Sequence, residues 1–227
     1  MTAAEMKYEI DIRLKGLPEE FKKLFITLDY SKYLSESQVD FFLAAYKTFD
    51  RTELEKKIMP NLVMNFKQTS FALASVDNLP NGTFVQLPDG FEFTLDEFAT
   101  LTDTTGIALV YPIQYNYYVS NVDNPFKSPY EELVWRLDYG GGNPNNIKVH
   151  ELITDGIHNL ISYTVRYLRK PVDINVDTGT DCEINPLYHN VIVNSAVKKM
   201  LEVVYQLYNA EKEKNKQRQQ QQPQEQE

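Results

Sequence analysis

The apolar residues of this chain change their period twice, and that change restricts the possible folds more than any other feature of the sequence. Before about residue 70 they recur every three or four positions. Met6, Ile10 and Leu14 stand at i, i+4 and i+8, with Tyr8 and Ile12 widening the stripe, which predicts a helix over 3–15. Thr2 and Glu5 fit a capping box in front of it, the hydroxyl and the carboxylate each satisfying a backbone N–H that the first turn leaves unpaired. Ser35-x-x-Gln38 offers a second such start. Val39, Phe42, Leu43, Tyr46 and Phe49 follow it as one stripe. A third start at Thr52-x-x-Glu55 carries Leu54, Ile58 and Leu62, interrupted near Pro60. Between the first two helices, Phe21, Leu24, Phe25 and Leu28 suit a short helix or a packed loop.

From about residue 70 the period falls to two. Phe84–Leu87 predicts a strand entering a Pro88-Asp89-Gly90 turn, and 91–95 alternates beyond it. Ile107–Val119 reads as one long strand in which Pro112 marks an edge or a bulge. Leu133–Tyr139, 147–153 and Leu160–Leu168 are strands joined by a flexible turn over 140–146 and a Thr154-Asp155-Gly156 turn, so an antiparallel meander is expected. In the third of these, Ile161, Tyr163, Val165 and Tyr167 should share one face. After Pro171 the helical period returns. Asn185-Pro186 places a capping side chain before a proline at the first helical position. Ile192, Ala196, Met200, Leu201, Val204, Leu207 and Tyr208 then form the stripe of a long helix.

Helices, strands, then one helix predict an α+β fold with segregated layers. The expectation is a helical bundle built from 1–69 and 182–213, an inserted antiparallel β domain over 70–181, and a disordered polar tail over 214–227. The Gln-rich tail has no apolar surface to bury.

Chemistry is harder to find. The single cysteine, Cys182, rules out an internal disulfide and a Cys-rich zinc site. His150, His158 and His189 lack a second His or Cys at metal-ligand spacing. There is no phosphate-binding glycine loop, since Gly140-Gly141-Gly142 joins two strands and does not open a helix. No nucleophile elbow occurs. The net charge of −9 argues against tight docking on phosphates, although an acidic wall lets a duplex slide past. No run approaches the length and apolarity of a membrane span, and no signal peptide is read at the start. No enzyme activity, cofactor, metal or small-molecule substrate is expected. Tyrosine is abundant, at 15 residues, and Tyr111, Tyr115, Tyr117, Tyr118, Tyr130 and Tyr139 fall in strand-like or irregular stretches where interfaces use it. The lone Trp135 reads as core.

Several segments, in shared order over residues 1–205, resemble structural proteins of crAss-like and other phages of Bacteroidetes. These are the opening Met1–Ile12 helix, Ser37–Tyr46, Val85–Asp89, Tyr111-Pro112-Ile113, Asn124-Pro125-Phe126, Trp135–Asp138, Tyr167–Pro171 and Cys182–Pro186 with His189, Ile192 and Ala196-Val197. The chain departs from the pattern at Tyr46-Lys47 and after Asn65. The resemblance implies a ring protein of the head–tail connector, similar in layout to the tail tubular protein A family of short-tailed phages. It implies a homo-oligomeric ring below the portal, in contact with the portal protein and adjacent tail rings, with viral DNA passing and no sequence-specific binding. The location implied is the virion, after assembly in the host cytoplasm. Interface residues would be Asn124, Pro125 and Phe126 on an exposed loop, Tyr139 beside a hairpin tip, and Tyr208 on a C-terminal docking helix. A tail-hub or completion protein, and a host-directed binding module absent from particles, are the alternatives.

Overall fold

The computed structural model describes residues 1–19, 21, 29–71, 79–139 and 148–221; the side chains of Tyr139 and of 215–221 fall outside that description. The chain divides into two compact units, one of 1–61 with the chain from Pro171 onward, the other Leu62–Lys170.

In the first unit, α1 (Ala3–Leu14) opens with the full capping box, Thr2 accepting from Glu5 N while Glu5 accepts from Thr2 N. Its buried residues are Ala3, Met6, Ile10 and Leu14, whereas Tyr8 and Ile12 stay exposed. The second helix, α2 (Tyr30–Thr48), begins five residues before the expected box. Asp29 caps it by accepting from Lys32 N at 3.2 Å. Ser35 and Gln38 therefore lie inside the helix and have other work. The Ser35 hydroxyl donates to Ile174 O, and the Gln38 amide donates to Val172 O at 2.8 Å and accepts from Glu183 N at 3.2 Å. A short turn of helix, α3 (Arg51–Glu53), is capped by Asp50 and widens into a π turn over Leu54–Ile58. The last helix of this unit spans His189–Gln221, after a single 3₁₀ turn capped by Asn185. Ile192, Val193, Ala196, Met200 and Val204 are its fully buried residues. Both α1 and α2 pack on it, Arg13 donating to Asn190 at 3.1 Å and Lys199 reaching Asp40 at 2.6 Å. The helix continues past Lys214 to Gln221, through Lys, Gln and Arg residues of good helical propensity.

The second unit is one seven-stranded sheet in the order β1-β7-β3-β4-β5-β6-β2. Its strands are β1 (Val63–Gln68), β2 (Gly82–Gln86), β3 (Phe91–Leu101), β4 (Ala108–Pro112), β5 (Leu133–Tyr139), β6 (Val149–Ile153) and β7 (Leu160–Arg169). All neighbours are antiparallel except β4 and β5, which run parallel and are connected by a crossover containing the helix α4 (Tyr115–Asn121). We number the long C-terminal helix α5. Phe91, Ala99, Val110, Val134, Leu152 and Val165 belong to one buried cluster, so residues from β3 to β7 share a single interior.

The expected helical bundle with an inserted antiparallel sheet is therefore corrected on both sides. The sheet is mixed and contains a helix of its own. The expected 107–119 strand ends at Pro112 and continues as α4. The expected meander fails too: β5 and β6 pair, but β7 leaves them and inserts between β1 and β3. A shift of register beside Leu101 also leaves Ile161 exposed while Tyr163, Val165 and Tyr167 face the core. In the helical unit, one side of α2 is covered by the extended segment 172–183 through hydrogen bonds of Ser35 and Gln38, which pure helix-on-helix packing would not require. The turn expected over 140–146 lies outside the described residues, as do 22–28.

Candidate interaction surface

Residues 104–122 include no Asp, Glu, Lys, Arg or His, in a chain where charged residues make up 24 %. This segment forms β4, α4 and their connection. In β4 the pleat alternates normally, Ala108 and Val110 pointing to the core, but the outward residues are apolar as well. Leu109 is 67 % and Tyr111 56 % exposed. Their neighbours on β5, Leu133 and Trp135, are on the same side of the sheet. There α4 provides cover: Tyr118 and Val122 cluster with Trp135, Leu137 and Ile153. Tyr117 and Tyr118 meet the indole edge-on, with ring centroids 5.6 and 6.4 Å away. The lone tryptophan is thus core, 1 % exposed, as the sequence reading expected.

The helix α4 itself has weak local credentials. Gln114 at its N-cap makes no side-chain cap bond, and Tyr, Asn and Val are mediocre helix formers. Its polar side chains turn back on its own backbone instead, Ser120 donating to Asn116 O and Asn121 to Tyr117 O, both at 2.9 Å. Contact with Trp135 holds it in place. Because α4 covers β5 and β6, the outer side of β4 stays open to solvent, and Tyr115 and Val119 on α4 are each 59 % exposed. An open groove of about 430 Å³ runs between the end of β4 and α4, lined by Tyr111, Ile113, Asn116, Tyr117 and Asn121.

The return from α4 to β5 carries the predicted Asn124-Pro125-Phe126 loop. Asn124 fixes it: its side-chain oxygen accepts from Phe126 N at 3.0 Å, and its carbonyl accepts from Lys127 N and Ser128 N at 3.0 and 2.8 Å. The result is a hydrogen-bonded turn with Phe126 95 % exposed at its tip. Tyr139 ends β5, paired with Val149, its side chain outside the described residues. Tyr208 belongs to the other unit, half-buried on α5 and stacked on Phe21 at 4.9 Å. The structure therefore places Asn124–Phe126 on the same crossover as the exposed apolar face and leaves Tyr208 on a separate element. Leu109 and Ile107 were missed. The signal available was a strand apolar at both parities, which alternation alone reads as fully buried.

On the inner side the same strands hold charge. The five residues of β4 pair with β3 only at Phe98 and Ala99, and β4 runs out at Arg136 of β5. Beyond that point the N-terminal part of β3 and the C-terminal part of β5 have no ladder between them. Side chains fill the interval. Arg136 donates to Glu97 in a very short contact and to Thr94 at 3.3 Å, and it pairs with Asp138 at 2.7 Å. Glu97 accepts from the Tyr163 hydroxyl at 2.8 Å, and His150 lies 3.0 Å from that hydroxyl and 3.2 Å from Asp138. Lys148 adds a bridge to Glu92 and to Phe91 O. Burial opposes the charge of Arg136, but the two carboxylates outweigh it and hold the guanidinium protonated. Burial raises Glu97 above the usual carboxylate range, with Arg136 offsetting only part of the effect. Burial and then Arg136 lower His150 to about 4, so the imidazole is neutral at pH 7. Burial and then Glu97 push the Tyr163 phenol well above its usual range. Every charge here has a partner, which is what allows charges to be buried at all. His189, 2 % exposed, makes a separate contact, its Nε2 2.8 Å from Ile184 O.

Comparison with known proteins is specific. A family model described as "phage tail ring protein 3/4" matches residues 6–214. "Ring protein 3" of Bacteroides phage crAss001 is 28 % identical over 202 residues, covering 76 % of this chain and 84 % of that protein. "Ring protein 4/5" of the same phage is 28 % identical over 146 residues, covering 56 % of this chain and 60 % of that protein.

Proposed function

The chain belongs to the phage tail ring protein 3/4 family, and from that premise we propose that it forms a cyclic ring in the head–tail connector, below the portal, lining the channel for DNA and docking the next ring of the tail. The structural role in a phage tail ring follows from the family. The position in the stack is our reading. The observation that carries it is the uncharged, solvent-facing side of β4 and α4. Contiguous apolar surface of that kind, left exposed by the fold, marks a contact with another macromolecule. The acidic balance, −9, supports a channel lining that repels the duplex and does not hold it. Phe126 on its hydrogen-bonded turn, the end of β5 at Tyr139, and α5 around Tyr208 are the docking elements we assign to neighbouring rings or the portal.

The test is a single-particle reconstruction of the virion neck. A cyclic ring built from this chain directly below the portal is the expected result. A ring found elsewhere in the tail would keep the structural role and reject the position. Absence of the chain from purified particles would reject both and favour a host-directed binding module.

A further inference from the structure

Resting on the ring reading above, we propose that the outer face of β4 and α4 is the surface on which the neighbouring copy of this same chain packs. Each copy carries a net charge of −9, so two copies repel one another across most of their surface. The face around Leu109, Tyr111, Tyr115 and Val119 lowers that cost, because residues 104–122 include no charged side chain. A partner recognised by opposite charge would find nothing to engage here, whereas interfaces between copies of one chain are more apolar than other protein contacts. The exposed apolar area is sizeable. Ile107, Leu109, Tyr111, Tyr115 and Val119 are each more than half exposed. At about 150–250 Å² per aromatic side chain the two tyrosines alone offer roughly 170–290 Å². A standard interface buries about 800 Å² per partner, and Leu109, Val119 and Ile107 supply further apolar surface. Ring closure sets this face against a different surface of the next copy, so it has no need to be self-complementary.

The experiment uses the full chain in assembled particles, with a photoreactive benzophenone side chain placed at Tyr115 and, separately, at Leu109. After irradiation, cross-linked peptides are identified by mass spectrometry. The expected product joins two peptides of this chain, in a band of twice its mass. Cross-links to a different virion protein, or none, would overturn the proposal while leaving the ring reading intact. Absence of the chain from particles would overturn both. As a second measure, Leu109→Glu combined with Tyr115→Glu should leave the thermal midpoint of the free chain unchanged and lower its copies per particle at least tenfold. Recovery of that double variant at the normal copy number would also overturn the proposal.

Discussion

The two sides of the sheet around β4 and β5 invert the usual distribution of residues. The inner side buries Arg136, Glu97 and His150, and the outer side presents Leu109, Tyr111 and Tyr115 to water. Buried charge and exposed apolar surface are both informative exceptions, and here they have different causes. The inner charges answer a local geometric problem, because β4 is too short to join β3 and β5 along their full lengths and hydrogen-bonded side chains bridge the remainder. The outer apolar residues answer no problem within the chain. One side is completed by the fold; the other waits for something outside it.

That contrast predicts a steep gradient of mutational effects. Arg136→Met leaves Glu97 and Asp138 without their cation, and Glu97 is buried, so urea unfolding should show a loss of about 3–5 kcal/mol. A loss no larger than that of an exposed substitution would mean the inner cluster is solvated and the contrast false. Acidity gives the next largest effect. His150 titrates near 4 when folded and near 6.5 when unfolded, so the unfolded chain binds the extra proton first as pH falls. Stability is therefore full above pH 6.5 and declines between 6.5 and 4, by up to about 3 kcal/mol. Glu97 acts in the opposite sense, since its raised value is relieved by protonation. His150→Gln should flatten the decline over that window; an unchanged pH profile would assign the acid sensitivity elsewhere. Tyr163→Phe removes the hydroxyl that joins Glu97 to His150 and should cost about 1–3 kcal/mol by thermal or urea unfolding. At the shallow end, Leu109→Ser should shift the stability of the free chain by no more than about 0.5 kcal/mol. If Leu109→Ser cost as much as Tyr163→Phe, the outer face would be part of the fold and not a contact surface.

Local signals in the sequence were reliable where local physics decides. The Thr2/Glu5 box and the Asn185 cap are satisfied by neighbours within three residues, and the runs that became β5, β6 and β7 show in their residue types although their ladder partners lie far off in sequence. What failed depended on distance. Residues 107–119 look like strand because Ile, Val and Tyr favour extended backbone, yet 115–121 becomes helical against Trp135, a partner that local propensity cannot identify. Ser35-x-x-Gln38 resembles a cap, but segment 172–183 claims both side chains. The inner cluster was invisible for the same reason. Glu97, Arg136, His150 and Tyr163 come from four strands, and only the observed order of those strands brings them together. The turn at Asn124–Phe126 was legible because Asn followed by Pro favours a turn locally; its use as an interface is our proposal. The role in a phage ring came from the resemblance, which no period or spacing would have supplied.

The place of β7 has a consequence for how the chain is made. It is the last strand in sequence but lies inside the sheet, with β1 and β3 on its two sides. Val63 must find Leu168 and Phe98 must find Thr164 across most of the unit's length. Contacts so distant in sequence slow folding. They also mean that a ribosome must deliver residues through Arg169 before the sheet can close. Until then β1 and β3 lack their shared neighbour, and the apolar side of β4 has no finished scaffold to present it. The topology thus ties the ordered presentation of that apolar face to completion of the sheet.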